Sequence, residues 1–120
     1  MNRQLTGQNN YYDGIAAETV IERRYCADGS EIAERRWRGC SGEIDLIFRK
    51  DGEVIFVEVK KAKDFSCAAY RLSQLQLARI ASAAEEFVAN EALGPLTPFR
   101  IDLALVNQHG ESRIIENVTM

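Results

Sequence analysis

Residues 42–60 read Gly42-Glu43-Ile44-Asp45-Leu46-Ile47-Phe48-Arg49-Lys50-Asp51-Gly52-Glu53-Val54-Ile55-Phe56-Val57-Glu58-Val59-Lys60, and their patterning decides the fold. Asp51-Gly52 between two apolar-rich runs predicts a two-residue hairpin, because a type I′ turn needs positive φ at both central positions. With residues 51 and 52 as the loop, Lys50 faces Glu53 and opposed residue numbers sum to 103. Phe48 then faces Ile55, Leu46 faces Val57 and Ile44 faces Val59, so six apolar side chains share one core-facing surface. The second strand, Val54 to Val59, is apolar on both faces around Glu58, which predicts a central and covered position.

The opposite face of the hairpin carries the chemistry. Its pairs are Ile47 with Phe56, Asp45 with Glu58, and Glu43 with Lys60. Directly opposed Cβ atoms lie about 4.5–5.5 Å apart, so two carboxylates are expected side by side. Like charges so placed destabilise a sheet unless something compensates. A divalent cation between them would do so, and oxygen-only ligation suits Mg²⁺ or Mn²⁺. Lys60 projects from the same face one pleat beyond Glu58. Two carboxylates and an ammonium around one point fit metal-assisted hydrolysis of a phosphate ester. The plainer alternative is a solvated strand face with weak ion pairs.

Outward from the hairpin, Asn10 to Tyr25 predicts a helix, with Ala17, Ile21 and Tyr25 at helical spacing and Asp28-Gly29 as its stop. Ser30 to Arg38 predicts a strand anchored by Ile32 and Trp37. Residues 66–92 predict a long amphipathic helix through Leu72, Leu75, Leu77, Ile80, Ala84, Phe87 and Val88, ended by Gly94-Pro95. Phe99 to Asn107 and Arg113 to Val118 complete the strands. The expected class is α/β, a mixed β-sheet flanked by helices in the order α-β-β-β-α-β-β, as one domain over residues 1–120.

The pattern Gly42-Glu43-Ile44-Asp45-Leu46-Ile47, then Phe56-Val57-Glu58-Val59-Lys60, resembles the PD-(D/E)xK nuclease superfamily. More closely it resembles the small bacterial YraN-like family of predicted endonucleases, which are similar to archaeal Holliday-junction resolvases. Gly14-Ile15-Ala16-Ala17-Glu18, Arg36-Trp37-Arg38, Arg100-Ile101-Asp102-Leu103 and Ile115-Glu116-Asn117 extend the resemblance over nearly the whole chain.

The resemblance implies a restriction-endonuclease-like core and a metal-dependent endonuclease acting on nucleic acid, in particular DNA, with branched DNA as one candidate substrate. It implies Asp45 and Glu58 as metal ligands together with the Val59 carbonyl, and Lys60 as the group that positions water or steadies phosphate charge. Glu18 would join the metal's outer shell or be an ordinary helix-surface acid. Gln76 aligns with a functional position on the second helix, with Gln74 as its rival. The chain departs from the family's pattern at Lys61-Ala62-Lys63 and at Phe65-Ser66. A homodimer is the expected assembly.

The 120 residues carry 15 Lys and Arg against 18 Asp and Glu, a net charge of −3. The cations concentrate in residues 20–80, where they exceed acids by two. Arg36, Arg38, Lys61 and Lys63 are therefore the candidate phosphate contacts. The three cysteines, Cys26, Cys40 and Cys67, never form a C-x-x-C pair and fit reduced thiols in a cytoplasmic protein, with Cys40 and Cys67 as small buried residues. No apolar run approaches the ~20 residues of a membrane span.

His109 is the only histidine and sits in a predicted turn without partners. Trp37 fits core packing or base stacking, and Asp102 supports the sheet. The rival to the nuclease is a non-catalytic module that keeps the fold and binds nucleic acid or protein.

Overall fold

A computed structural model describes residues 16–66 and 72–119. Helix α1 occupies residues 16–27 and buries Ala17, Ile21 and Tyr25, which the i, i+4 spacing places on one stripe. Its stop is Gly29, whose φ of 91° suits a residue without Cβ. The predicted start at Asn10 and the Gly14-Ile15 match lie outside the described residues.

Five strands follow the predicted order: β1 Glu31–Arg38, β2 Glu43–Lys50, β3 Glu53–Lys61, β4 Phe99–Val106 and β5 Ser112–Ile115, with helix α2 Gln74–Val88 between β3 and β4. They form one sheet in the order β1-β2-β3-β4-β5. The β3–β4 pair is parallel and the other three are antiparallel, so β3 is central and the sheet is mixed. The crossover needed to return a parallel strand is supplied by the segment containing α2.

The turn has the expected geometry, with φ of 51° at Asp51 and 80° at Gly52. The pairs 50·53, 48·55, 47·56 and 46·57 all form as the arithmetic requires. Helix α1 covers one face of the sheet, over Leu46, Phe48, Ile55, Val57, Ala104 and Val106. Helix α2 covers the other, over Ile47, Val54, Phe56 and Ile101. Its Ala83 and Ala84 admit the sheet closely, and Phe87 meets Trp37 and Phe56 edge-on at 5.4 and 5.7 Å. Trp37 is thus a packing residue.

Several expectations need correction. Ile44 packs with the α2 cluster and not with Leu46 and Phe48. The second helix starts at Gln74, not 66, because Ser73 caps it in a reciprocal box with Gln76. Upstream, the Ser66 N–H and hydroxyl both bond the Asp64 carboxylate in a local turn. The helix ends at Val88 and the chain proceeds through turns, so 89–92 are not helical. Residues 67–71, with Cys67 and Ala69, lie outside the described residues. Cys40 is exposed, as is Cys26, so the expected burial does not hold. Leu75 is also largely exposed, at 76%, although the helical pattern counted it inside.

Asp102 is fully buried on β4, yet its carboxylate is well satisfied. It accepts the Tyr25 hydroxyl at 2.6 Å, the Asn117 N–H at 2.9 Å and Arg100 Nε at 3.1 Å. Burial and this anionic partner push the Tyr25 hydroxyl pKa far upward, so the phenol stays a donor. The network ties α1, β4 and the segment after β5 together, in the supporting role expected of Asp102. Asp102→Ala should destabilise by about 3–5 kcal/mol, because the Tyr25 hydroxyl and the Asn117 N–H lose their common acceptor and a fully buried side chain is removed. Tyr25→Phe should cost less, roughly 1.5–3 kcal/mol. Urea unfolding of the two variants checks the order.

Candidate functional site

The ladder between β2 and β3 stops at Leu46·Val57. With a two-residue turn, the hydrogen-bonded pairs are 50·53, 48·55 and 46·57, and the next would be 44·59. That pair does not form. Instead the Val59 N–H donates to Asp45 Oδ2 at 2.8 Å. Beyond this point β2 continues with β1, as far as Arg38·Glu43, and β3 continues with β4, as far as Lys61·Val106. The sheet therefore parts between two strands that each keep their outer neighbour. The expected register pairs Asp45·Glu58 and Glu43·Lys60 both lie beyond the last ladder pair; Asp45 and Glu58 still share one cleft, whereas Glu43 lies 3.5 Å from Arg38.

A cleft of about 230 Å³ occupies the parting, lined by Glu43, Asp45, Glu58, Gln76, Arg79 and Ile80. It sits at the carboxyl end of parallel strand β3, where α/β sheets commonly place ligands. A larger hollow of about 540 Å³ lies at the hairpin turn, but there Arg49 is tied to Glu91 by two hydrogen bonds. The smaller cleft holds the opposed carboxylates.

Asp45 and Glu58 are half-buried and within hydrogen-bonding reach of each other. Burial first, then the Asp45 carboxylate, pushes the Glu58 pKa up to about 8, while the Lys60 and Arg79 cations pull it back. Glu18 reaches the same region from α1. Burial raises its pKa too, and Asp45 and Glu43 add to the rise against the pull of Arg36. Its carboxylate accepts from Arg36 Nε at 3.1 Å. Arg36 has φ of 50°, a left-handed conformation rare outside glycine that costs on the order of 1 kcal/mol.

The structure therefore gathers Glu18, Asp45, Glu58, Lys60 and Gln76 at one end of the sheet. Gln76 lines the cleft and Gln74 does not, although the Gln76 side-chain oxygen also accepts the Ser73 N–H at 3.2 Å. Arg36 and Arg38 are both exposed and each has a carboxylate neighbour, Glu18 at 3.1 Å and Glu43 at 3.5 Å. Arg38, Lys61 and Lys63 are exposed beyond the same strand ends. The residue missed in the sequence is Arg79. It stands three positions after Gln76 and so on the same helix face, a spacing that could have found it. His109 lies in a turn, as expected.

Among the described residues, no three His, Cys, Asp or Glu side chains converge on one point. The oxygen donors that Asp45 and Glu58 offer to the cleft are two carboxylates. That set fits Mg²⁺ or Mn²⁺ better than Zn²⁺, since the harder ions keep several waters and take one or two carboxylates. No described helix is long and apolar enough to cross a membrane.

These features define an α/β protein with an acidic cleft where two central strands part, flanked by a lysine and an arginine. The chain belongs to the YraN-like family UPF0102, an uncharacterised protein family whose model matches residues 17–106. A UPF0102 protein of Cereibacter sphaeroides is 52% identical over 113 residues, covering 94% of this chain and 97% of the relative. One from Roseobacter denitrificans is 49% identical over 96% of this chain and 89% of its own. One from Dinoroseobacter shibae is 39% identical over 98% and 88%.

A carboxyl whose pKa rises on folding binds more protons in the native than in the unfolded chain. For Glu58 this holds between pH 4.5 and about 8, so stability falls as pH rises through that interval. In metal-free buffer Glu58→Gln should flatten this decline. It should stabilise the protein at pH 8 by about 1–2 kcal/mol, a value reduced for solvent screening. Thermal midpoints from pH 5 to 9 check this.

Proposed function

We propose that the protein is a metal-dependent endonuclease of the PD-(D/E)xK superfamily, hydrolysing phosphodiester bonds of nucleic acid, with DNA as the favoured substrate. The observation that carries the reading is the opposed Asp45–Glu58 pair at the parted strands, with Lys60 one pleat beyond. A protein that only needed the sheet would gain stability by replacing one carboxylate, because the pair repels and is partly desolvated. Keeping both makes sense where a cation is bound.

Asp45 and Glu58 would hold Mg²⁺ or Mn²⁺, with the Val59 carbonyl as a further oxygen donor. When bound, the ion supplies positive charge against the phosphate oxygens. Asp45 does two things at once: one oxygen accepts the Val59 N–H, which fixes the carboxylate, and the other stays available to the cleft. Lys60 orients water or neutralises charge that develops on the phosphate. Glu18, released from Arg36, would add an acceptor at the outer edge. Arg38, Lys61 and Lys63 would contact neighbouring phosphates. Branched DNA as substrate and a homodimer as the working form belong to this reading through the family resemblance, and a cytoplasmic location through the unpaired cysteines.

Two experiments test it. Millimolar Mn²⁺ should raise the thermal midpoint of the wild type by several degrees and leave Asp45→Ala unmoved; saturation at 100 times Kd is worth about 2.7 kcal/mol. On linear and branched DNA with Mg²⁺ or Mn²⁺, Glu58→Ala should abolish cleavage, and Lys60→Ala should slow it by about 10²–10³. Equal cleavage by wild type and Glu58→Ala would sink the proposal. Binding of DNA that ignores divalent metal, without cleavage, would establish the non-catalytic module instead.

A further inference from the structure

We infer that Arg79 is the phosphate-gripping arm of the cleft, taking the non-bridging oxygens of the nucleic-acid phosphate presented to Asp45, Glu58 and Lys60. The inference rests on the nuclease reading and adds to it a substrate contact that the D…ExK pattern does not contain.

A phosphate entering the cleft meets carboxylates of its own sign, so the opposite wall must supply a cation. Arg79 is on that wall, reaching in from α2, and is solvent-exposed. Its situation differs from that of the other arginines near carboxylates. Arg35 is bonded to Glu22, Arg36 to Glu18, Arg49 to Glu91, and Arg100 to Asp102 and Glu53. Arg79 makes no hydrogen bond or ion pair with any described residue. It is close enough to Glu58 to act on it through space, yet no described residue takes up its donors.

The position of the arm is built, not incidental. Its aliphatic stem lies against the Gly42 backbone, where a Cβ would stand 3.0 Å from Arg79 Cδ and 3.2 Å from Cγ. Gly42 has φ of 152°, and any side chain there would push the stem aside. Glycine therefore gives the arm a bare surface to lie along, with the guanidinium carried towards the carboxylates. A guanidinium is always charged and weakly hydrated, and its fork matches two phosphate oxygens.

The test is binding of a labelled 20-bp DNA duplex across 50–200 mM salt, with Ca²⁺ in place of Mg²⁺. Each lost phosphate contact lowers the slope of log K against log salt by about 0.9. Arg79→Ala should flatten the slope by that amount and weaken binding several-fold, with its thermal midpoint near that of the wild type. Arg79→Lys should keep the slope and still bind more weakly, because it loses the fork. Lys50→Ala, at the turn end of β2, should match the wild type.

A wild-type slope in Arg79→Ala, or equal flattening in Lys50→Ala, overturns the assignment. Should Glu58→Ala cleave normally while Arg79→Ala shows the flattened slope, the nuclease centre fails and the phosphate contact stands. A wild type that does not bind the duplex overturns the Arg79 assignment, and the cleavage assay then decides the nuclease reading separately.

Discussion

The hydrogen bond from the Val59 N–H to the Asp45 carboxylate is the constraint around which the cleft is organised. A strand N–H in a central position must have a partner. By supplying one from a side chain, Asp45 lets β2 leave β3 one pair early without stranding a buried donor. The backbone that would have paired then diverges, and the gap becomes the cleft. The same bond fixes the Asp45 carboxylate beside Glu58. Fold and site thus share one interaction: the group that ends the ladder is also the group that faces the second acid.

That arrangement has an energetic cost that the surroundings only partly offset. Glu58 is half-buried beside an anion, and its carboxyl holds its proton well above the usual carboxylate range. Lys60 and Arg79 reduce the penalty without removing it. Elsewhere the protein treats buried charge differently. Asp102 is deeper than Glu58, yet a tyrosine, a backbone N–H and an arginine satisfy it. One acid is surrounded by donors and the other has a second acid as its near neighbour. The first pattern builds structure; the second leaves free energy that, under the proposed function, a bound cation would recover.

Much of this was legible in the sequence because the informative signals were local. Asp51-Gly52 demanded positive φ at two positions, which fixed the register, and the register placed Asp45 opposite Glu58. The apolar runs of β3 announced a strand covered on both faces. What failed was tertiary. Strand arithmetic assumes that a ladder continues until polarity changes, so it carried Ile44 opposite Val59 and Glu43 opposite Lys60. It could not register that β2 is held by β1 and β3 by β4. The left-handed Arg36 was equally invisible, because nothing in Arg35-Arg36-Trp37 favours it. Periodicity likewise carried the second helix back to 66, whereas Ser73 and Gln76 start it at 74. Arg79 is hidden for a simpler reason: an arginine on the polar face of an amphipathic helix reads as an ordinary solvated residue, and only its i+3 relation to Gln76 marks it as facing the cleft.

The charge pattern shows why a site at the strand ends matters for a protein with three more acids than cations. Read along the chain, Arg35-Arg36-Trp37-Arg38 and Arg49-Lys50 suggest basic patches. In the folded protein most of these arginines are spent on carboxylates of α1, β2 or the segment after α2, and exposed pairs of this kind leave little net field. Among the described residues, these pairs leave no long basic stripe to hold nucleic acid by electrostatics alone. Under the proposed function, attraction must then be concentrated where cations stand near the cleft, at Lys60 and Arg79, with Lys61 and Lys63 beyond. Under the proposed function, a cation between Asp45 and Glu58 would offset the negative charge of that region, where a phosphate is otherwise repelled. Metal and nucleic acid would on this account bind cooperatively, the first cancelling the charge that keeps the second away.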